Sequence, residues 1–361
     1  MSRFMSPRFA GLEAYTPGEQ PQDQQYVKLN TNESPYPPSP AVVAAISAEE
    51  VIRLNLYPDP TGRVLKEKLA ALYGVKAENI FLSNGSDDIL NFAFMAFCDS
   101  ERGAAFPEIS YGFYPVYADL YHVDCVKIPL KEDFGVDYRD YCNIDRMVVI
   151  ANPNAPTGLY MPLDQVEEIV KANQDVIVIV DEAYIDFAGP SARELLPGYD
   201  NLLVVQTFSK SRSMAGVRIG FALGSPALIK ALNDVKYSYN SYTMNLPSQI
   251  AGTQAVKDRA YFEETRAKIM ATRERSKKRF AELGFTFPDS MTNFILVTHE
   301  RVPARAIFDA LKKEQIYVRY FNAPRLDNSL RVSIGTDEEM DDLFRFLEQY
   351  LKEWKPAGDS E

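Results

Sequence analysis

The sequence predicts an α/β fold, with a mainly parallel central sheet in a large domain and a smaller α+β domain following it. Three observations predict this. The runs Met147–Ala151, Val176–Val180 and Asn201–Gln206 are short, apolar and rich in β-branched residues, as strands covered on both faces must be. Helical patterns alternate with such runs from about residue 60 to residue 235, which is the signature of a layered α/β sheet. After about residue 245 a long charged helix leads into strands and helices that fit a separate, smaller unit.

The elements follow in chain order. Residues 1–45 lack periodicity and carry Pro35, Pro37, Pro38 and Pro40, which fix φ and bias the preceding residues toward extended geometry. They read as an N-terminal arm packing with the small domain. Residues 46–245 form the large domain. Thr61–Tyr73 is a helix, because Val64, Leu65, Leu69 and Leu72 recur at helical spacing and Gly74 ends it. Ile80–Leu82 is a short apolar run, and Ser86–Phe97 is helical. Leu163–Lys171 is a helix with Val166, Ile169 and Val170 on one side, and Ile219–Leu223 is a further strand candidate. Residues 246–361 form the small domain. It holds the helix Tyr261–Leu283, strands at Asn293–Val297, Ile316–Arg319 and Leu330–Ile334, and helices at Ala304–Lys313 and Glu338–Lys352.

Composition narrows the function classes. At 361 residues the chain is long enough for two domains and needs no disulfide or metal to hold them. A content of 46% hydrophobic and 25% charged residues excludes disorder for its bulk. With 39 Lys+Arg against 50 Asp+Glu, the net charge of -11 draws in neither nucleic acid nor anionic lipid. Cys98, Cys125 and Cys142 show no CxxC spacing and read as reduced, buried thiols. His122 and His299 lie far apart, so no metal centre is expected and acid–base work falls to other side chains. No secretory h-region and no 18-residue apolar run is present, so the expected location is the cytoplasm.

Four segments carry chemistry, and each sits where a buried strand ends, the edge at which open α/β sheets bind ligands. In Ser83-Asn84-Gly85-Ser86-Asp87-Asp88 a glycine separates a strand from a helix start, which offers backbone N–H groups and a positive dipole end to a phosphate. The plainer reading is an ordinary cap through Ser86 or Asp87. Two carboxylates would repel a phosphate, so a cradle here uses backbone with both side chains turned away. Asn152-Pro153-Asn154-Ala155-Pro156-Thr157-Gly158 is the second segment. In the third, Asp181 closes the run Val176–Val180, where a buried carboxylate needs a cation or several donors. A structural cap is the alternative. In the fourth, Lys210 follows another apolar strand, beside Ser209, Ser211, Ser213 and Arg218. A solvated lysine is the commoner case. A neighbouring cation, however, lowers a lysine pKa from about 10.4, and a neutral amine is what Schiff-base chemistry requires. Phosphate donors, a carboxylate for a ring cation and a nucleophilic amine together match pyridoxal 5′-phosphate.

The chain resembles the histidinol-phosphate aminotransferase family, within the fold type I pyridoxal-phosphate-dependent transferases, over roughly Tyr15 to Leu351. The motifs are Lys28-Leu-Asn-Thr-Asn-Glu-Ser-Pro-Tyr, Tyr57-Pro-Asp-Pro-Thr-Gly, Gly85-Ser-Asp-Asp, Tyr111-Gly-Phe-Tyr-Pro-Val-Tyr and Asn152-Pro-Asn-Ala-Pro-Thr-Gly. They continue with Val180-Asp-Glu-Ala-Tyr, Ser209-Lys210 with Ala215-Gly-Val-Arg-Ile-Gly, and Leu330-Arg-Val-Ser-Ile-Gly. The resemblance implies that Lys210 carries the aldimine and shuttles a proton, and that Asp181 pairs with the pyridine nitrogen. Asn154 and Tyr184 would donate to the ring hydroxyl oxygen, and Tyr111 would stack on the ring. Ser209, Arg218 and the backbone of Gly85, Ser86 and Asp87 would hold the phosphate. Tyr57 would reach the phosphate of a neighbouring subunit, which implies a homodimer with shared sites. Arg331 and Arg319 would bind the anionic ends of glutamate, 2-oxoglutarate and histidinol phosphate. Asn32 and Tyr15, in the arm, complete the implied substrate site. The implied reaction is amino-group transfer between histidinol phosphate and 2-oxoglutarate in histidine biosynthesis. An aromatic amino acid aminotransferase or a threonine-phosphate decarboxylase on the same scaffold are the alternatives. Ser34, Pro37 and the stretch Ser211-Arg212-Ser213-Met214 depart from the family's usual pattern.

Overall fold

The computed structural model describes residue 19 and residues 26–46 and 52–355. The strands in chain order are β1 (Val27–Leu29), β2 (Ile80–Ser83), β3 (Ala104–Pro107), β4 (Cys125–Ile128), β5 (Met147–Ala151) and β6 (Val178–Asp181). They continue with β7 (Leu202–Thr207), β8 (Gly220–Gly224), β9 (Phe285–Thr286), β10 (Phe294–His299), β11 (Ile316–Tyr320) and β12 (Leu330–Ser333). Seven of them form a sheet in the order β2-β8-β7-β6-β5-β3-β4. From β7 to β4 every pairing is parallel, and only β8 is reversed, antiparallel to both of its neighbours. The mainly parallel α/β sheet is the one the sequence predicts.

Burial explains why its centre reads so clearly. Every residue of β5, β6 and β7 is buried. Their side chains alternate between two apolar clusters, Val148, Ile150, Val178 and Val180 in one and Val149, Ala151, Ile179 and Val205 in the other. The helix Arg63–Tyr73 adds Leu65 and Leu69 to the first cluster and ends on Gly74 at φ 67°. The helix Ser86–Phe97 adds Ile89, Leu90, Phe92 and Phe94 to the second. β3 and β4 were not expected from the sequence. Four residues each, Ala-Ala-Phe-Pro and Cys-Val-Lys-Ile, leave too little pattern, and β4 is an edge strand with Lys127 exposed.

The second sheet runs β1-β11-β12-β10-β9. β1 comes from the N-terminal segment and pairs in parallel with β11, Val27 opposite Ile316 and Leu29 opposite Val318. The helices Ala304–Lys313 and Asp337–Glu353 cover this sheet through Ile307, Leu311, Met340, Leu343, Phe344 and Leu347. The second of them opens with a capping box, Thr336 and Glu339 each satisfying the other's backbone N–H. Among the described residues, no helix is long and apolar enough to cross a membrane.

The reversed strand serves the turn after β2. Gly85 adopts φ 89°, and a Cβ there would lie 2.5 Å from Arg218 Nη2. Gly220, the first residue of β8, presses on the same turn, so that a Cβ on it would sit 2.3 Å from the Gly85 carbonyl carbon. Gly220→Ala therefore forces the turn away from the sheet. The expected cost is about 1–3 kcal/mol, measured as a lower midpoint of denaturant unfolding with an unchanged slope.

Candidate active site

The carboxyl ends of β2, β5, β6 and β7 open onto a cavity of about 160 Å³. Ser86, Asp87, Tyr111, Asp181, Tyr184, Ser209, Lys210 and Arg218 line it. It shares Asp87, Tyr111, Tyr184, Lys210 and Arg218 with an outer cavity of about 770 Å³, which extends to Asn32, Arg319 and Arg331. Residues spread over 300 positions of sequence thus meet in one hollow.

Asp181, the last residue of β6, is only 5% exposed. Its Oδ2 accepts from the Tyr114 hydroxyl at 2.8 Å and its Oδ1 from the Ala183 amide at 3.2 Å. Among the described residues no cation pairs with it. Burial pushes its carboxyl up to about 6, against the downward pull of those two hydrogen bonds. Tyr114 gave no sequence signal beyond its place in the aromatic stretch after Tyr111, yet it is fully buried and holds Asp181 in place.

Lys210 Nζ donates to the Thr31 carbonyl at 3.4 Å and lies 5.8 Å from the centre of the Tyr184 ring. Tyr184 is buried edge-on against Phe294, and its hydroxyl accepts from Asn32 Nδ2 at 2.9 Å, which leaves its own proton for the cavity. Asn32 is held in turn, its amide donating to Ser333 Oγ and its carbonyl accepting from Asn293. Its φ of 55° lies in the left-handed region that asparagine tolerates. Ser209 is fixed through Thr207, whose Oγ1 donates to Ser209 Oγ at 3.0 Å and accepts its amide at 3.1 Å.

One expectation, that both carboxylates of the turn point away, needs correction, and two further site residues have protein partners of their own. Gly85 does not line the cavity, and its N–H donates to the Ser83 carbonyl at 2.9 Å, so the exposed donors of the turn are those of Ser86 and Asp87. Asp88 does turn away, toward Ser83 Oγ and the Asn84 amide, but Asp87 turns inward. Asp87 accepts from the Tyr111 hydroxyl at 2.6 Å and pairs with Arg218 Nη2 at 3.1 Å, so the guanidinium supplies the charge that keeps this carboxylate in the hollow. Asn154 is buried but is not in the cavity wall. Its Nδ2 donates to the Ile109 carbonyl and Thr157 Oγ1, and its Oδ1 accepts from Ser110. Its amide braces the loop that carries Tyr111.

The outer cavity carries a pair the strand register makes explicit. Arg319 on β11 stands directly opposite Arg331 on β12. Like charges in that position destabilise a sheet unless something near them compensates. Arg331 Nη2 also donates to the Asn30 carbonyl at 3.0 Å, which ties it to the segment after β1. Tyr57 lies outside both cavities, 82% exposed and stacked on Tyr242. Tyr15 lies outside the described residues. Among the described residues, no cluster of His, Cys, Asp and Glu could hold a metal ion.

The donor set suits a ligand with a cationic atom for Asp181, a carbonyl for Lys210 and an anionic group for Arg218 and the Ser86 turn. A direct consequence concerns Asp181 without such a ligand. Because its folded pKa lies above the ordinary 3.8, its ionised form opposes folding. This opposition is absent below about pH 4, grows through the window to about pH 6, and is full above it. Asp181→Asn is therefore expected to stabilise the ligand-free protein by on the order of 2 kcal/mol at pH 8, with the gain vanishing near pH 4. Thermal unfolding at the two pH values checks this.

Comparison with known proteins agrees with this geometry. The family model for aminotransferase class I and II matches residues 24–347. A histidinol-phosphate aminotransferase of Brachyspira hyodysenteriae is 52% identical, over 98% of this chain and 100% of that protein. Another, of Clostridium acetobutylicum, is 50% identical, over 97% and 100%. The crystal structure of histidinol-phosphate aminotransferase from Sinorhizobium meliloti in complex with pyridoxal-5′-phosphate superposes with a TM-score of 0.81 at 27% identity, covering 90% of each chain. The chain belongs to the histidinol-phosphate aminotransferase family of the class I and II aminotransferases.

Proposed function

We infer that the protein is a pyridoxal 5′-phosphate-dependent aminotransferase that moves an amino group between histidinol phosphate and 2-oxoglutarate, in histidine biosynthesis. The observation that carries the reading is the convergence of Lys210 and Asp181 on one cavity at the strand ends, beside an arginine and a helix start. The buried Asp181 carboxylate, with no cation of its own, fits a pyridinium nitrogen. The Arg218 guanidinium and the Ser86 turn, both in the cavity wall, fit a phosphate. When bound, the cofactor would supply an aldehyde that exchanges amino groups and a ring that draws electrons from the substrate carbon.

The chain's own residues would divide the remaining work. Lys210 Nζ would hold the cofactor's aldehyde carbon and, once released, carry the proton taken from the substrate. The Thr31 carbonyl keeps that amine on the cavity side. Asp181 would stay ionised once a ring cation faces it, since an opposite charge reverses the effect of burial. The Tyr184 hydroxyl would donate to the ring oxygen, its own oxygen occupied by Asn32. Arg218, Ser209 and the amides of Ser86 and Asp87 would take the phosphate, with Asp87 sharing the guanidinium and held off by the Tyr111 hydroxyl. Arg319 and Arg331 would receive the substrate's anionic end, a carboxylate in one half-reaction and a phosphate in the other, both of which suit a guanidinium fork.

A second copy of the chain would complete the site. Ile52, Leu54, Leu56, Tyr57, Tyr239 and Tyr242 are exposed, a run of large apolar side chains of the kind that marks an interface. The Tyr57 segment is pinned, with Lys236 Nζ donating to the Pro60 carbonyl at 2.8 Å and Gln249 Nε2 donating to the Asp59 carbonyl at 2.8 Å.

Activity, substitution and sedimentation measurements test these assignments. Purified protein should be yellow and should consume 2-oxoglutarate with histidinol phosphate present. Release of CO₂ from threonine phosphate without a keto acceptor would favour a decarboxylase instead. Lys210→Ala should lose both colour and turnover, and wild-type activity in that variant would remove Lys210 from the chemistry. Leu54→Glu should convert a dimer to a monomer in sedimentation, and a dimer unaffected by the charge would move the interface elsewhere.

A further inference from the structure

Between β11 and β12 the chain makes a loop, residues 321–329, that lies over the outer cavity. Its residue Arg325 crosses to the other sheet. Arg325 Nη1 donates to Glu108 and to the Leu130 carbonyl at 3.2 Å, and Nη2 donates to the Lys131 carbonyl at 2.6 Å. The guanidinium also lies 4.9 Å from the centre of the Phe134 ring. Glu108 continues β3, its amide bonded to the Ile128 carbonyl, and its carboxylate accepts from the Leu130 amide at 3.1 Å. Both sides of the contact carry unusual backbone. Arg325 and Phe134 each have φ 67°, left-handed geometry that is strained for a bulky residue. Strain on two facing residues persists only where the surroundings impose it.

The placement gives the contact a purpose. Arg319 and Arg331 face each other near the end of the same hairpin, with Tyr320 opposite Leu330 as the last pair before the loop. Glu108 begins the loop that carries Ser110 and Tyr111 into the cavity wall. We propose that Arg325 is a positioning residue: by clamping the β11–β12 hairpin to Glu108 and the 130–134 turn, it sets the distance between the anion-binding arginine pair and the cofactor cavity. Arginine suits the task because one planar fork satisfies a carboxylate and two carbonyls together, which a lysine cannot. The clamp touches neither the reacting atoms nor the phosphate cradle. Its effect therefore falls on how tightly anionic substrates are held and not on the chemical step.

The proposal rests on the aminotransferase reading for its kinetic test, and an exchange measurement stands apart from that reading. In the holoenzyme, R325A is expected to raise KM for both histidinol phosphate and 2-oxoglutarate by about tenfold, with kcat and cofactor affinity within about twofold. R325K should recover only part of the loss. E108Q should raise KM less than R325A, and the double variant should show less than the product of the two effects. Hydrogen exchange at residues 321–329 should quicken in R325A while the amides of β5, β6 and β7 keep their protection. Unchanged KM values in folded R325A, or KM, kcat and cofactor affinity deteriorating together, would overturn the proposal. If the wild-type protein does not transaminate histidinol phosphate, the functional reading fails. The clamp is then decided by exchange alone, and unchanged exchange at 321–329 overturns it.

Discussion

The site depends on one carboxylate held almost wholly inside the protein. Asp181 ends a strand whose every residue is buried, and among the described residues it accepts hydrogen bonds from a phenol and one amide. The adjacent residue shows what a self-sufficient buried acid looks like in the same fold. Glu182 is also buried, but Ser191, Gln206 and the Ala192 amide all donate to it, at 2.5 to 2.7 Å. Burial still raises its carboxyl, to about 7, against those bonds. The difference lies in direction. Glu182 faces protein and ties the loop after β6 to Gln206 on β7, whereas Asp181 faces a hollow. An acid kept costly on the open side and satisfied on the closed side is a demand for a cation from outside.

Other features follow from meeting that demand. Parallel strands bring their carboxyl ends to one edge, so β6 presents Asp181 and the segment after β7 presents Lys210 without any long-range search. The reversed β8 begins with Gly220, whose missing side chain lets the Gly85 turn and Arg218 close the same edge. The small sheet contributes the arginine pair from across the gap. Each wall of the cavity comes from a different layer, and the chemistry lies at their meeting point.

Sequence reasoning reached the centre of this arrangement and lost precision outward. β5, β6 and β7 were legible because burial on both faces leaves an unbroken apolar run, and Asp181 and Lys210 stood out as polar residues at the ends of such runs. β3 and β4 were not, because four residues each, those of β4 at the sheet edge, leave too little pattern. Side-chain direction was the other blind spot. That Asp87 turns in to meet Arg218, that Asn154 spends its amide on Ile109 and Thr157, and that Gly85 spends its N–H on Ser83 are decided by partners far away in the chain or by local turn geometry. Tyr114 illustrates the same limit, since one buried tyrosine among several aromatics gives no hint that its hydroxyl supports the key acid. The arginine pair, in contrast, needed only the strand register to become visible.

The parallel pairing of β1 with β11 reaches further than the sheet edge it occupies. Immediately beyond β1, the Thr31 carbonyl accepts from Lys210, while Asn32 grips Tyr184 with one end and Ser333 and Asn293 with the other. A short segment of chain is thus anchored in one layer and fastened to the Lys210 amine of the other. Any tilt of the small layer would move the Thr31 carbonyl and with it the position of the Lys210 amine.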